Sequence, residues 1–341
     1  MAKFKIALIG CGGRGRLNAA AAQKAKDVDV IALVDVSREN AEDVKKTYGF
    51  ENANIYTSED DMLANESPDI VEICLWTGLH LPVFKKCAEA GIKDVFMEKP
   101  MAPTWAECRE IARIAEETGC RLYFSHQRRF QPGNIAVKKY IADGMIGKIL
   151  RVDMFAPPNL LDCGTHSVDQ ALNFLDGKPV KWVLGSLDAT EPVNFFGVKA
   201  ENTFSGTIIW EDNIIGNLYT GFKDIDIYTG VRVFGEKGFF EVEWDGQISR
   251  YAIYDRPDWK PEEVPEVENQ DLVACIEHVC ECAQTGKEST LSYKNAYQAT
   301  EILFALYESV RQRRIINLPL EGVDDNPFMT MLENGEFDYD K

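Results

Sequence analysis

The feature that most constrains this chain is a glycine-spaced turn directly behind an apolar run: Ile6-Ala7-Leu8-Ile9 followed by Gly10-x-Gly12-x-x-Gly15. Four consecutive apolar residues read as a strand buried on both faces, and the Ala- and Gln-rich segment after the turn reads as a helix. In that context Gly10 permits a tight turn, Gly12 lets backbone approach a pyrophosphate, and Gly15 lets the helix lie close to its strand. With Gly13 and Arg14 the turn opens a helix whose free N–H groups and positive dipole end suit an anion. A second apolar strand, Val30 to Val34, ends at Asp35, where a carboxylate accepts from ribose hydroxyls and repels a 2′-phosphate. The pair predicts a dinucleotide site that takes NAD in preference to NADP, with Ser37 and Arg38 at the same strand end. Arg38 pulls the other way, since a guanidinium accepts a 2′-phosphate. A plainer role for Asp35 is to cap the helix that starts near Arg38.

The 341 residues suggest two domains. Up to about Ser125, strands at 55, 70–75, 94–97 and 121–124 alternate with helices at 39–48, 58–65, 81–90 and 104–118, which predicts a doubly wound parallel sheet binding its ligand beyond the strands' carboxyl ends. Trp76, Thr77 and His80 follow one strand, and Glu98, Lys99 and Pro100 follow another. All are therefore expected at the cofactor crevice. Beyond Ser125, strands at 149–155, 180–187, 204–210, 214–222, 228–234 and 239–244 with short turns predict an α/β domain with a large open, mostly antiparallel sheet. Helices at 270–284 and 294–313 finish it. The expected division is 1–125, 126–320 and an acidic tail, 321–341, that is either disordered or wraps a neighbour through Phe328, Met331 and Phe337.

Charge narrows the partners. With 55 acidic and 37 basic side chains the formal charge is −18, which repels nucleic acid and anionic membrane surfaces. The nine cysteines contain no C-x-x-C pair, and Cys275, Cys280 and Cys282 lack a nearby histidine set for zinc. Reduced thiols, no metal, no signal peptide and no membrane-length apolar run give the expectation of a cytoplasmic protein.

Four histidines are available for chemistry. His278 reads as structural, His126 as a cleft residue beside Arg128 and Arg129, and His80 as either a cofactor contact or a loop organiser. His166 is the strongest candidate for a general base. On its helix Val168, Ala171, Leu172 and Leu175 form the apolar stripe, and His166, Asp169 and Asn173 fall opposite, which argues against a core histidine. An imidazole titrates in the range needed to take a hydroxyl proton near neutral pH. Asp162, in the turn before, either orients the reacting pair or satisfies N–H groups at the helix start. Lys99 is placed to stabilise an alkoxide, or is a solvated lysine at a strand end. Asn159, Arg128, Arg129, Tyr219 and Tyr228 are side chains of the kind that can reach a small polar substrate.

Taken in order, the glycine turn, Asp35, Glu98-Lys99-Pro100, Arg129-Phe130-x-Pro132, Gly144-x-Ile146-Gly147, Asp162-x-Gly164-x-His166 and Leu318-Pro319-Leu320 resemble the glucose–fructose oxidoreductase and inositol dehydrogenase family, Gfo/Idh/MocA. The resemblance implies an N-terminal Rossmann domain, a C-terminal open sheet, and a homodimer or homotetramer packed through that sheet. It also implies that Lys99, Asp162 and His166 act on a sugar or polyol hydroxyl, with Arg128-Arg129-Phe130 on the substrate side. Many members have Thr-Pro-Asn-x-x-His where this chain has Leu75-Trp76-Thr77-Gly78-Leu79-His80, so Trp76 becomes a candidate to pack on the nicotinamide ring. The expected activity is hydride transfer between NAD and a secondary hydroxyl of a sugar, polyol or glycoside. A redox-neutral glycoside-processing enzyme with permanently held NAD and a non-catalytic nucleotide sensor are the alternatives.

Overall fold

The computed structural model describes residues 3–195, 198–221, 230–263 and 270–337. They group into two compact units, the first made of residues 1–103, 107–127 and 267–296, the second of 104–106, 128–266 and 297–341.

In chain order the first stretch runs β1 (Phe4–Ile9), α1 (Gly13–Lys24), β2 (Val28–Val34), α2 (Arg38–Tyr48), β3 (Asn54–Tyr56), α3 (Glu59–Asn65), β4 (Ile70–Ile73), α4 (His80–Glu89), β5 (Asp94–Met97), α5 (Trp105–Thr118) and β6 (Arg121–Phe124). All six strands pair in parallel in the order β3-β2-β1-β4-β5-β6. The order reverses direction between β1 and β4, and the carboxyl ends flanking such a switch point form the ligand crevice of a doubly wound sheet. Local chemistry sets the helices: Ser37 and Ser58 cap α2 and α3 through their hydroxyls, and Gly49 ends α2 in the left-handed conformation.

The chain continues through α6 (Pro132–Ala142), β7 (Ile149–Ala156), α7 (Thr165–Phe174), β8 (Val180–Asp188), β9 (Val193–Phe195), β10 (Val198–Ala200), β11 (Thr203–Trp210), β12 (Ile215–Thr220), β13 (Gly230–Gly235), β14 (Gly238–Glu243) and β15 (Ile248–Ile253). It ends with α8 (Gln270–Thr285), α9 (Tyr293–Gln312), β16 (Ile316–Asn317) and α10 (Pro327–Glu333). The second unit's sheet has the order β15-β14-β13-β7-β12-β11-β8-β16. Its pairs are antiparallel except β7–β12, so the sheet is mixed but mostly antiparallel, as the short turns predict. Strict alternation along β11 buries Phe204, Gly206, Ile208 and Trp210 on one face.

Strands β9, β10, β15 and β16 go beyond the sequence expectation. Phe222 and Tyr228, expected in strands, lie outside the described residues. The tail does not wait for a neighbour: Asn326 caps α10, and Phe328 and Met331 are buried against their own unit, with Phe328 stacked on Tyr307 at 5.3 Å. Among the described residues no helix is long and apolar enough to cross a membrane.

Candidate cofactor and catalytic site

The glycine turn is closed where the fold needs it and open where a ligand does. Gly10 has a φ of +95°, and a Cβ there would stand 2.3 Å from the Cys74 carbonyl oxygen. A Cβ on Gly15 would stand 1.8 Å from the Gly10 carbonyl oxygen. Gly12 and Gly13, which cap and open α1, have nothing within 4 Å of the corresponding position. Asp35 braces the turn from the end of β2, its carboxylate accepting from Cys11 N at 2.8 Å and Ser37 N at 2.8 Å. Capping of α2 is the work of Ser37, so Asp35 has a wider role than capping. Arg38 is exposed beside it. An open cradle of N–H groups and a strand-end carboxylate fit a dinucleotide's pyrophosphate and ribose.

The neighbouring strand ends carry the other expected residues of this unit. Trp76 is 66% exposed, and Thr77 is buried beneath it in the turn leading to α4. His80 is fully buried, with Nδ1 3.2 Å from the Met101 carbonyl and Nε2 3.2 Å from the Leu75 carbonyl. In this conformation its ring cannot reach a cofactor; it ties the loop after β4 to the loop after β5. Burial lowers its pKa, and the two carbonyl contacts oppose that shift. Glu98 is buried and accepts from Arg14 Nε at 2.8 Å and Asn18 Nδ2 at 3.1 Å. Burial alone would raise its pKa, but the Arg14 charge and hydrogen bonds outweigh it and hold the carboxyl below its ordinary value. Lys99 follows at the same edge, half-buried. Arg14 and Glu98 are thus a mutual pair that fixes the glycine turn to the Lys99 loop.

In the second unit, Asn159 caps a π-helical turn, Leu160–Gly164, accepting from Asp162 N at 2.9 Å. Asp162 sits inside that turn, and His166 is in the first turn of α7. The capping acceptor here is therefore Asn159, which is itself buried. The polar side of α7 is not a solvent face: His166, Asp169 and Gln170 are all buried. The reason is Arg129, whose guanidinium forms a bidentate pair with Asp169, Nε to Oδ2 at 2.7 Å and Nη2 to Oδ1 at 2.8 Å. Arg129 thereby becomes a strut under the His166 helix. Arg128 lies 3.3 Å over the Trp244 ring and donates to the Trp244 carbonyl. That same indole meets the His166 ring edge-on at 6.0 Å. Tyr219 stacks on Phe155 at 5.2 Å, while His126 is buried after β6.

Residues 4–126 match the family model described as an oxidoreductase family with an NAD-binding Rossmann fold. Over that stretch the chain resembles the Gfo/Idh/MocA oxidoreductases. It is 30% identical over 190 residues to an inositol 2-dehydrogenase of Rhizobium meliloti, covering 52% of this chain and 56% of that protein. It is 25% identical over 346 residues to a D-apiose dehydrogenase of Paraburkholderia graminis, covering 93% and 90%. The fold is shared with the WlbA dehydrogenase of Bordetella pertussis, solved with NADH and UDP-GlcNAcA, at a TM-score of 0.78 and 23% identity, covering 94% of this chain and 99% of that one. The matched residues thus have the fold that this model describes as NAD-binding.

Three buried polar residues near these candidates are hard to read from sequence. Asn18 looks like any polar helix residue, Asp169 falls opposite the apolar stripe of its helix yet is buried, and Glu72 sits in β4, fully enclosed. Only for Glu72 does the sequence carry a signal, a lone acid in an otherwise apolar run.

Proposed function

We propose that the protein oxidises, or in reverse reduces, a secondary alcohol carbon of a sugar, polyol or glycoside with NAD as hydride carrier. The observation that carries the reading is the open glycine cradle of the first unit, braced by Asp35 at the end of β2. Likeness to inositol and apiose dehydrogenases supports a polyhydroxylated substrate. NAD, when bound, supplies the acceptor for the hydride. His166 takes the hydroxyl proton, Asp162 orients the imidazole or the substrate hydroxyl, and the Lys99 ammonium stabilises negative charge on the alcohol oxygen. Gly12 and Gly13 hold the pyrophosphate and Asp35 the adenosine ribose; Trp76 is exposed at the same edge and packs on the nicotinamide.

The test begins with denaturing the purified protein and quantifying released dinucleotide by mass spectrometry, followed by assay of NAD reduction with myo-inositol, scyllo-inositol, D-apiose and common aldoses. Lys99→Ala and His166→Ala should each lose about a hundredfold or more in turnover at near-unchanged NAD affinity. A fully active His166→Ala ends its assignment as the base.

A further inference from the structure

Beneath the turn that carries Asp162 lies a buried acid that neither the glycine cradle nor the proton chemistry uses. Glu201 follows β10, is fully enclosed, and spends both oxygens on three donors. Oε1 accepts from Leu160 N at 2.5 Å and from Thr220 Oγ1 at 3.2 Å, and Oε2 accepts from Tyr307 Oη at 2.7 Å. The first amide of the π-helical turn, which has no partner within a helix start, is thus received by Glu201, itself held by Tyr307 of α9. Tyr307 is itself locked by the Phe328 ring.

A carboxylate is costly to bury unless its partners are all donors, as here. An N-terminal cap supplied locally by Asn159 already serves Asp162 N. The extra acid therefore does something Asn159 does not: it fixes the turn to the sheet through β12 and to α9, setting where the next residues stand. We propose that Glu201, with Tyr307, is a positioning residue for Asp162 and His166. The proposal rests on the reading of those two as the acid–base pair.

The test compares wild type, Glu201→Gln, Glu201→Ala and Tyr307→Phe. Hydrogen exchange of the 159–166 segment reports the clamp, NAD affinity reports the first unit, and kcat and KM are measured with myo-inositol, scyllo-inositol and D-apiose. Glu201→Ala should speed exchange in that segment and lower kcat by about a hundredfold, with KM moved far less and NAD affinity unchanged. Glu201→Gln, whose amide oxygen still accepts from Leu160 N while Tyr307 turns to accept, should restore most of the loss. Tyr307→Phe should fall between them, and it decides the matter if Glu201→Ala does not fold. Unchanged exchange in Tyr307→Phe and Glu201→Gln together with unchanged exchange in any folded alanine variant overturns the clamp itself. Faster exchange with unchanged kcat overturns the proposal through its premise, because the turn is then not where catalysis happens.

Discussion

The two units present chemistry by opposite means. In the first, the candidate site is shaped by backbone: Gly10 and Gly15 let strand, turn and helix approach where no side chain fits, and Gly12 and Gly13 stand open. In the second, the candidate turn is shaped by buried side chains: Arg129 pairs with Asp169 on the helix of His166, and Asn159 and Glu201 accept from backbone amides of the turn that bears Asp162. A backbone site fails by steric intrusion. A side-chain site fails by leaving a charge or donor stranded in a poor solvent.

That difference is open to direct attack. The largest effect should come from Arg129→Met, which leaves the Asp169 carboxylate buried without its counter-charge and should cost about 3–5 kcal/mol in denaturant unfolding. A loss below 1 kcal/mol would mean that the pair is not structural. Next is Glu72, whose burial, with the Glu98 charge adding to it, pushes its pKa from 4.5 up to about 8. Between those values the folded chain holds a proton that the unfolded chain releases, so this residue lowers stability as pH rises and the loss is complete above about 8. Glu72→Gln should therefore stabilise by on the order of 3 kcal/mol at pH 7 and by little near pH 4.5. A gain equal at both pH values would refute the titration.

The smaller effects separate the glycines. Gly15→Ala forces a methyl against the Gly10 carbonyl and should destabilise by about 1–3 kcal/mol. Gly12→Ala meets no protein atom and should leave thermal stability alone while weakening NAD binding by about tenfold, measured by calorimetry. Were Gly12→Ala to unfold the protein and spare NAD, the division between the structural and the ligand-facing glycine would be reversed.

The same contrast explains what was legible. The parallel sheet and its glycine turn announce themselves because strand, turn and helix signals are local in sequence. The turn with Asp162 and His166 is legible in its residue types, but its setting is not: helical periodicity places Asp169 opposite the apolar stripe of its helix, and its partner Arg129 lies forty residues upstream. No pattern within one helix reveals a counter-charge on another element. His80 shows the point in reverse, since a histidine after a strand end suggests a ligand contact until both ring nitrogens are seen on backbone carbonyls. Short strands such as β16, two residues long, carry too little periodicity to be read at all.

The discontinuity of the first unit bears on synthesis. Helix α8 packs on α1, Lys26 N donates to Glu277, Arg121 reaches the Ala283 carbonyl, and Phe124 N donates to Leu291. A nascent chain that has emerged only through β6 thus lacks the cover for α1 and the partners for its edge strand. The first unit, whose sheet is made before that of the second, must wait for some 170 further residues before it can close, from Gln127 to Ala296.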